Sequence, residues 1–174
     1  LNVLDIVQNS VKAKASLIEI SVLKNTQKKE LSISIADNGC GMTEEQVARV
    51  IDPFYTTRTT RKVGLGVPFF KLSAELTGGR FQIESKPGIG TKICSVYCYE
   101  HIDMMPLGDM AATMVSLISV NPGIDFVYTC KKDEQGFVLD TREVKVILEG
   151  LPVNSSEVLT FIRQYIEENE KEIE

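Results

Sequence analysis

The 174-residue chain lacks several features that would mark whole classes of protein. It has no run of about eighteen uninterrupted apolar residues and no visible signal peptide, so we expect no membrane span. Its 19 basic residues are outnumbered by 24 acidic ones, and the net charge of −5 argues against general binding to nucleic acid or anionic membranes. Internal repeats and low-complexity segments are absent. The sequence therefore predicts a globular protein whose function must be read from local motifs.

Cysteine is scarce as well, and its spacing excludes the common metal-binding patterns. The four cysteines stand at positions 40, 94, 98 and 130 and form no CxxC pair. We interpret them as small buried apolar residues in a reducing compartment, which predicts a cytoplasmic protein. We expect neither a metal site nor a disulfide among them.

The most informative motif is Asp37-Asn38-Gly39-Cys40-Gly41-Met42, which directly follows an alternating apolar and polar run at 31–36. Such a run predicts a half-buried strand. Glycines after a strand-end carboxylate allow a sharp turn or a close approach to a ligand. A buried acid in this place can accept a hydrogen bond from an exocyclic amine such as that of adenine. In isolation, however, Asp-Asn-Gly is typical of an ordinary turn.

The first residues of the chain predict a helix that could meet a nucleotide. Apolar residues recur at positions 3, 4, 7 and 11, which indicates a helical stripe. Asp5, Asn9 and Lys12 then share one edge of that helix. An amide oxygen is a good ligand for Mg²⁺, and a lysine can meet phosphate as a point charge. The same residues would also suit a solvated helix face.

A third segment, residues 52–68, combines hydroxyl, basic and glycine residues. Pro53 excludes a helix here, and Gly64 and Gly66 come before a helical pattern at 67–76. Backbone amides at such a helix start form a ready anion site. Neither GxxxxGK[ST] nor a full GxGxxG occurs, so the P-loop and Rossmann motifs are absent. The helix ends at Thr77-Gly78-Gly79, and two strands joined by a Pro-Gly turn follow.

Together these blocks resemble the N-box, G1, F-box, G2 and trailing Gly-Gly/Gly-Thr motifs of the GHKL superfamily. That superfamily contains gyrase-type topoisomerases, Hsp90-type chaperones, histidine kinases and MutL-type repair proteins. The resemblance covers residues 1–99, in order and in spacing. It implies the Bergerat fold, an α/β two-layer sandwich that binds ATP between its helices and its sheet under a mobile lid.

The resemblance also implies roles for individual residues. Asn9 would bind Mg²⁺, Lys12 would lie near the phosphates, and Asp37 would bind the adenine amine. The other positions implied for the nucleotide site are Gly39 and Gly41 beside the base, Phe54 as a brace for the lid, Gly64 and Gly66 at the phosphates, and Thr91 near the adenine pocket.

Two branches of the superfamily remain open. The run Asn9-Ser10-Val11-Lys12 is similar to the kinase pattern Asn-Ala-x-Lys, whereas the ATPase branch places a glutamate four residues before the asparagine. Asp5 occupies that position, where kinases generally have asparagine. Its carboxylate could orient water as a general base, receive the proton of a protein hydroxyl, or act only indirectly on the metal. Lys62 also replaces the first glycine of the kinase motif GTGLGL.

The acceptor of a phosphoryl group is not evident in the chain. Histidine kinases use a histidine on a preceding helical hairpin, but this chain starts at Leu1 within the N-box helix, so we expect residues before it. The only histidine, His101, we interpret as a surface residue. Our leading hypothesis is a histidine-kinase-like Mg-ATP-binding protein, akin to stand-alone anti-sigma-type kinases, that phosphorylates or regulates a partner protein in trans. The alternatives are an ATPase switch whose lid closure controls homodimerisation, with Asp5 activating water, and a nucleotide-sensing module.

Residues 100–174 predict a smaller α+β appendage of unknown role. Asp109 is a candidate cap for a helix at 110–119, and 125–132 with 136–139 predicts a hairpin. Residues 144–148 suit either a helix or a strand. A last helix starts near Ser155, and we expect its acidic end to fray because the helix dipole disfavours acids there. The appendage could dock on the ATP domain, dimerise or bind a client protein.

Overall fold

The fold is a two-layer sandwich in which helices cover one face of a six-stranded sheet, as the computed structural model shows for residues 1–54 and 65–174. The predicted α/β sandwich is therefore confirmed. The helices are α1 (Val3–Lys12), α2 (Glu44–Val50), α3 (Gly66–Leu76), α4 (Met110–Val120), α5 (Thr141–Leu148) and α6 (Ser156–Ile173). The strands are β1 (Leu17–Asn25), β2 (Glu30–Asp37), β3 (Arg80–Lys86), β4 (Gly90–Cys98), β5 (Asp125–Lys132) and β6 (Gln135–Asp140).

The strands lie in the order β3-β4-β2-β1-β5-β6. Only β1 and β5 are parallel neighbours, and the other pairs are antiparallel. Because side chains alternate between the two faces of a strand, one face collects the branched apolar residues. In β1 and β2, Ile20 pairs with Ile35 and Val22 with Ile33, and all four are buried beneath the helices.

Helix α1 presents a different face to the core from the one that its apolar stripe predicts. Its buried residues are Val3, Ile6, Val7 and Ser10, whereas the apolar residues at positions 4 and 11 are only half-buried. This rotation turns Ser10 towards the sheet. The helix is capped by Asn2, whose side chain accepts a hydrogen bond from the amide of residue 5.

The C-terminal segment extends the same sheet. Strand β5 pairs with β1 in parallel from Leu17↔Asp125 to Lys24↔Lys132, and β6 continues the sheet outward. Helices α4 and α6 pack against each other over it and share its apolar core. Residues 100–174 therefore contribute strands and helices to both layers of the sandwich. The division of the chain after residue 99 stays a prediction.

Helix α6 is formed as far as Ile173, although the sequence predicted fraying at its acidic end. The buried phenol of Tyr128 donates a hydrogen bond to Glu170 Oε1 (2.8 Å), which ties the last turns of the helix to β5. Burial raises the pKa of Tyr128 well above its ordinary value, so the phenol stays protonated and remains a donor. This contact holds the end of the helix against the sheet.

Three further sequence-based expectations are resolved, on the segment at 144–148, the cap of α4 and the cysteines. The segment at 144–148 belongs to helix α5, which is capped by Asp140 through a hydrogen bond from the amide of Arg142. Asp109 caps α4, as predicted. The expectation of four buried cysteines is wrong, because Cys40 is exposed in the loop after β2 and the others are half-buried. None of the helices in the described ranges combines the length and the apolar character needed to cross a membrane.

Because both halves of the chain share one core, a core substitution in β5 should weaken the whole sandwich. The ring of Phe126 is fully buried. We expect Phe126→Ala to lower the free energy of unfolding by about 3–5 kcal/mol, since it removes a large apolar side chain and leaves a cavity. Urea denaturation followed by circular dichroism measures this change. Val146→Ala, at an exposed position of α5, is the control and should stay within about 0.5 kcal/mol of the wild type. Two separate transitions would contradict a single core.

Candidate functional site

The candidate site lies at the end of β2, where Asn38 ties two strands together. Its Oδ1 accepts hydrogen bonds from the amides of Ser16 (2.9 Å) and Leu17 (3.0 Å), and its Nδ2 donates to the Ser16 hydroxyl (2.8 Å). The end of β2 is therefore fixed to the start of β1. This bonding gives the preceding residue, Asp37, a defined backbone position.

The carboxylate of Asp37 is held by one donor on each oxygen. The amide of Gly39 donates to Oδ1 (2.8 Å), and the hydroxyl of Ser10 donates to Oδ2 (2.6 Å). Ser10 itself is only 4% exposed, so the hydroxyl that donates to Asp37 is buried in the core. Each carboxylate oxygen keeps acceptor capacity, because an ionised carboxylate has about four lone-pair sites. The half-buried Asp37 is therefore an oriented acceptor.

The two glycines after Asp37 are required by close packing. Gly41 has a φ of +68°, and a Cβ on it would lie 1.9 Å from the carbonyl oxygen of Lys86. A Cβ on Gly39 would lie 2.7 Å from the Cβ of Ala13. The loop thus passes closely between the end of α1 and the β3–β4 turn. Two backbone hydrogen bonds fix the loop on both sides. The amide of Cys40 donates to the Ala13 carbonyl (3.0 Å), and the amide of Gly88, in the β3–β4 turn, donates to the Cys40 carbonyl (2.7 Å).

A cavity of about 160 Å³ lies between α1 and the sheet beside this carboxylate. Its walls are mostly apolar, and a few polar side chains converge on it, which is typical of a small-molecule site. The polar members are Asn9, Ser10, Asp37 and Thr91, and the larger apolar members are Ile6, Ile35, Met42, Val50, Val67 and Ile93.

Thr91 reaches the cavity because β4 runs antiparallel to β2, with Thr91 opposite Asp37. Its hydroxyl is hydrogen-bonded to that of Ser85 (2.8 Å) on β3. Ser85 in turn accepts a hydrogen bond from the amide of Met42 (2.8 Å). This chain connects the far wall of the cavity to the glycine loop.

A second cavity, of about 690 Å³, adjoins the starts of α1 and α3 and is lined by Asp5 and Gly66. A Cβ on Gly66 would lie 3.2 Å from the Cβ of Asp5, so the two helix starts are in close contact. Asp5 is exposed, and its Oδ2 accepts a hydrogen bond from Asn2 Nδ2 (2.9 Å). The N-cap of α3 is Leu65, which has no polar side chain to bond the first-turn amides.

The predicted site residues are not all brought together. The smaller cavity unites Asn9, Asp37, Gly41 and Thr91. Lys12 is exposed and lines neither of these two cavities. Phe54 is 78% exposed, and its amide donates to Asp52 Oδ1 (2.9 Å). The positions predicted at 62 and 64, and the lid from residue 55 onward, fall outside the described residues.

Sequence reasoning missed three residues that position the site: Ser10, Asn38 and Ser85. A signal for Ser10 was present, since it continues the buried spacing of Val3, Ile6 and Val7 at a position where an apolar residue is expected. Asn38 and Ser85 carried no such signal, because their partners are distant in the chain.

The polar residues at the cavity suit a cation that binds as part of a larger ligand. Within the described ranges, no group of three or more histidine, cysteine or acidic residues is placed to bind a metal ion. Mg²⁺ bound to a nucleotide needs only one or two protein ligands, because phosphates and water supply the rest. Asn9 offers an amide oxygen beside the cavity.

Comparison with known proteins gives a family match. The model of the family described as "Histidine kinase-, DNA gyrase B-, and HSP90-like ATPase" matches residues 2–99. Sensor histidine kinase YvrG of Bacillus subtilis is 31% identical over 93 residues, which is 51% of this chain and 16% of that protein. Sensor protein kinase FleS of Pseudomonas aeruginosa is 35% identical over 105 residues, which is 60% of this chain and 25% of that protein. The chain therefore matches a quarter or less of the length of these relatives.

A solved structure shares the fold. The Aquifex aeolicus MutL ATPase domain, complexed with ADP, superposes on this chain with a TM-score of 0.52. The superposed region covers 79% of this chain and 60% of the MutL chain. Its sequence identity is 16%, so the likeness concerns the fold alone.

The close packing at Gly41 gives a direct test of the loop geometry. We expect Gly41→Ala to lower the free energy of unfolding by more than about 1 kcal/mol, because it adds both an unfavourable φ and a clash with the Lys86 carbonyl. Gly78→Ala is the matched control, since Gly78 has a φ of +78° and open space around it. Equal losses in thermal or urea denaturation would show that the clash is not significant.

Proposed function

Because the chain belongs to the histidine kinase-, DNA gyrase B- and HSP90-like ATPase family, we propose that it binds Mg-ATP and acts on a partner protein in signal transduction. The observation that carries this proposal is the Asp37 carboxylate, held by two donors at the edge of an apolar cavity. The relatives that match residues of this domain are sensor kinases. Because ATP is a cytoplasmic nucleotide, the proposal includes a cytoplasmic location.

The carboxylate accounts for the choice of base. An ionised carboxylate only accepts hydrogen bonds, so it suits the 6-amino group of adenine. Guanine has an oxygen at that position, and two acceptors would face each other. The apolar side chains of Ile35, Val67 and Ile93 can pack against a purine ring. Thr91 lies beside the same carboxylate.

The phosphates are proposed to extend from this cavity towards the start of α3. Backbone amides and the dipole at a helix N-terminus favour an anion, and Gly66 is the first residue of that helix. Asn9 would be the protein ligand of Mg²⁺, Lys12 and the amide of Gly64 would lie near the phosphates, and Phe54 would brace the lid. Bound Mg²⁺ would supply charge neutralisation at the triphosphate.

In the kinase form of the proposal, a hydroxyl or imidazole of the partner attacks the γ-phosphorus. The bond to the bridging oxygen breaks, ADP leaves with that oxygen, and the attacking group releases its proton to water, so this form does not require Asp5 as a base. Asp5 is exposed, so a partner can approach this side of the site. We place the acceptor in another chain, since His101 lies in the turn after β4, where its Nδ1 accepts a hydrogen bond from the amide of Asp103 (3.1 Å).

A second candidate function is an ATP-driven conformational switch. It is favoured by the carboxylate at position 5, which lies against the first residue of α3. In this form Asp5 removes a proton from water as the water attacks the γ-phosphorus, and the bond to the bridging oxygen breaks so that ADP leaves with that oxygen. Lid closure controls association with a second copy of the chain. A nucleotide sensor without catalysis is the outcome if neither reaction occurs.

Removal of the Asp37 carboxylate should weaken nucleotide binding. We expect Asp37→Ala to lower the affinity for Mg-ATP by about ten- to a hundredfold, because a hydrogen bond to a charged group contributes about 1.5–3 kcal/mol. Isothermal titration calorimetry measures this affinity. Glu134→Ala is the control, since Glu134 is exposed in the turn between β5 and β6 and lines neither of the cavities that Asp37 lines. Unchanged affinity in Asp37→Ala, or no binding by the wild type, would overturn the proposal.

Asp5→Asn separates the two catalytic forms, because it keeps the shape of the side chain and removes its basicity. If the protein is a switch, this variant should lose ATP hydrolysis in a phosphate-release assay. If it is a kinase, the variant should still transfer radiolabelled phosphate to its partner protein. Loss of both reactions with intact ATP binding would contradict a kinase step that does not use Asp5.

A further inference from the structure

Ser10 is a polar residue at a core position of α1, and its hydroxyl crosses to another element. The residue is 4% exposed and follows Val3, Ile6 and Val7 along the buried face of the helix. Its hydroxyl donates to Asp37 Oδ2 at 2.6 Å, a short distance that is typical of a charge-assisted hydrogen bond. A buried hydroxyl needs such a partner, and serine in a helix often uses the carbonyl one turn earlier instead.

The contact determines what the cavity can offer to a ligand. The hydrogen of Ser10 and the amide hydrogen of Gly39 are both directed at the Asp37 carboxylate. What remains beside the cavity is a set of lone pairs on the carboxylate and on the Ser10 oxygen, both of which line it. This part of the cavity therefore presents acceptors, and a ligand must donate to them.

The contact also limits rotation of the carboxylate. The last torsion of an aspartate side chain is broad, so a single donor leaves it considerable freedom. Two donors from different elements, one on α1 and one in the loop after β2, hold both oxygens.

We propose that Ser10 is a specificity-determining residue, which orients the Asp37 carboxylate towards the 6-amino group of the purine and so favours ATP over nucleotides that lack this group. Ser10 acts through Asp37 and is a positioning residue. The inference rests on the proposed ATP binding and adds to it the residue that sets base selectivity.

The test compares two nucleotides that differ only in the group concerned: ATP and purine riboside triphosphate, which has hydrogen in place of the 6-amino group. Calorimetry with Mg²⁺ gives both affinities for the wild type and for Ser10→Ala. We expect Ser10→Ala to bind ATP about tenfold more weakly, while its affinity for purine riboside triphosphate changes less than about twofold. The preference for ATP therefore falls about tenfold.

Two further variants make the result specific. Ser34→Ala is the matched control, because Ser34 is a half-buried serine of β2 that lines neither the cavity beside Asp37 nor the one beside Asp5. It should leave both affinities unchanged. Ser10→Thr retains the hydroxyl and should retain the preference for ATP, even where its extra methyl group lowers both affinities equally.

The outcomes separate this inference from the function on which it rests. If Ser10→Ala weakens both nucleotides equally, Ser10 has only a packing role and the inference is wrong. The same holds if Ser10→Ala changes neither affinity while Asp37→Ala still weakens ATP binding. If the wild type binds no ATP, or if Asp37→Ala has no effect, the proposed function fails together with the inference.

Discussion

The interaction on which the site depends is the pair of hydrogen bonds that fixes the carboxylate of Asp37. One donor comes from a helix and the other from the glycine loop. The orientation of the carboxylate therefore depends on the relative positions of three elements: α1, β2 and the loop after β2. A free aspartate at a strand end would rotate and attract water. Held in this way, it becomes a fixed acceptor beside an apolar cavity, and the proposed adenine site depends on this.

The C-terminal half of the chain supports this arrangement from a distance. Strand β5 lies beside β1, and the amide of Asp125 at its start donates to the carbonyl of Ser16 (2.9 Å). The same Ser16 bonds Asn38, the neighbour of Asp37. Residues 100–174 thus brace the strand ends that form the site, while the pair formed by Tyr128 and Glu170 anchors the last helix nearer the opposite end of the sheet. The sheet links the two halves of the chain mechanically, whatever further role the second half has.

Much of the fold followed from the sequence because its signals are local. Alternation predicted β2, the Asp109 cap predicted α4, and the glycines marked the loop that only small residues can form. The rest depended on contacts between distant residues. The parallel pairing of β5 with β1 has no local signal, and the apolar stripe of α1 suggested a face rotated away from the one that is buried. For that reason Asp37 was identified and its partner Ser10 was not.

A crystal structure of the protein with Mg²⁺ and a non-hydrolysable ATP analogue tests the central claim most directly. The account predicts the purine in the cavity between α1 and the sheet, with its 6-amino nitrogen about 3 Å from a carboxylate oxygen of Asp37. In that structure the hydroxyl of Ser10 should still donate to the same carboxylate. A nucleotide bound elsewhere, or a base whose amino group points away from Asp37, would contradict it.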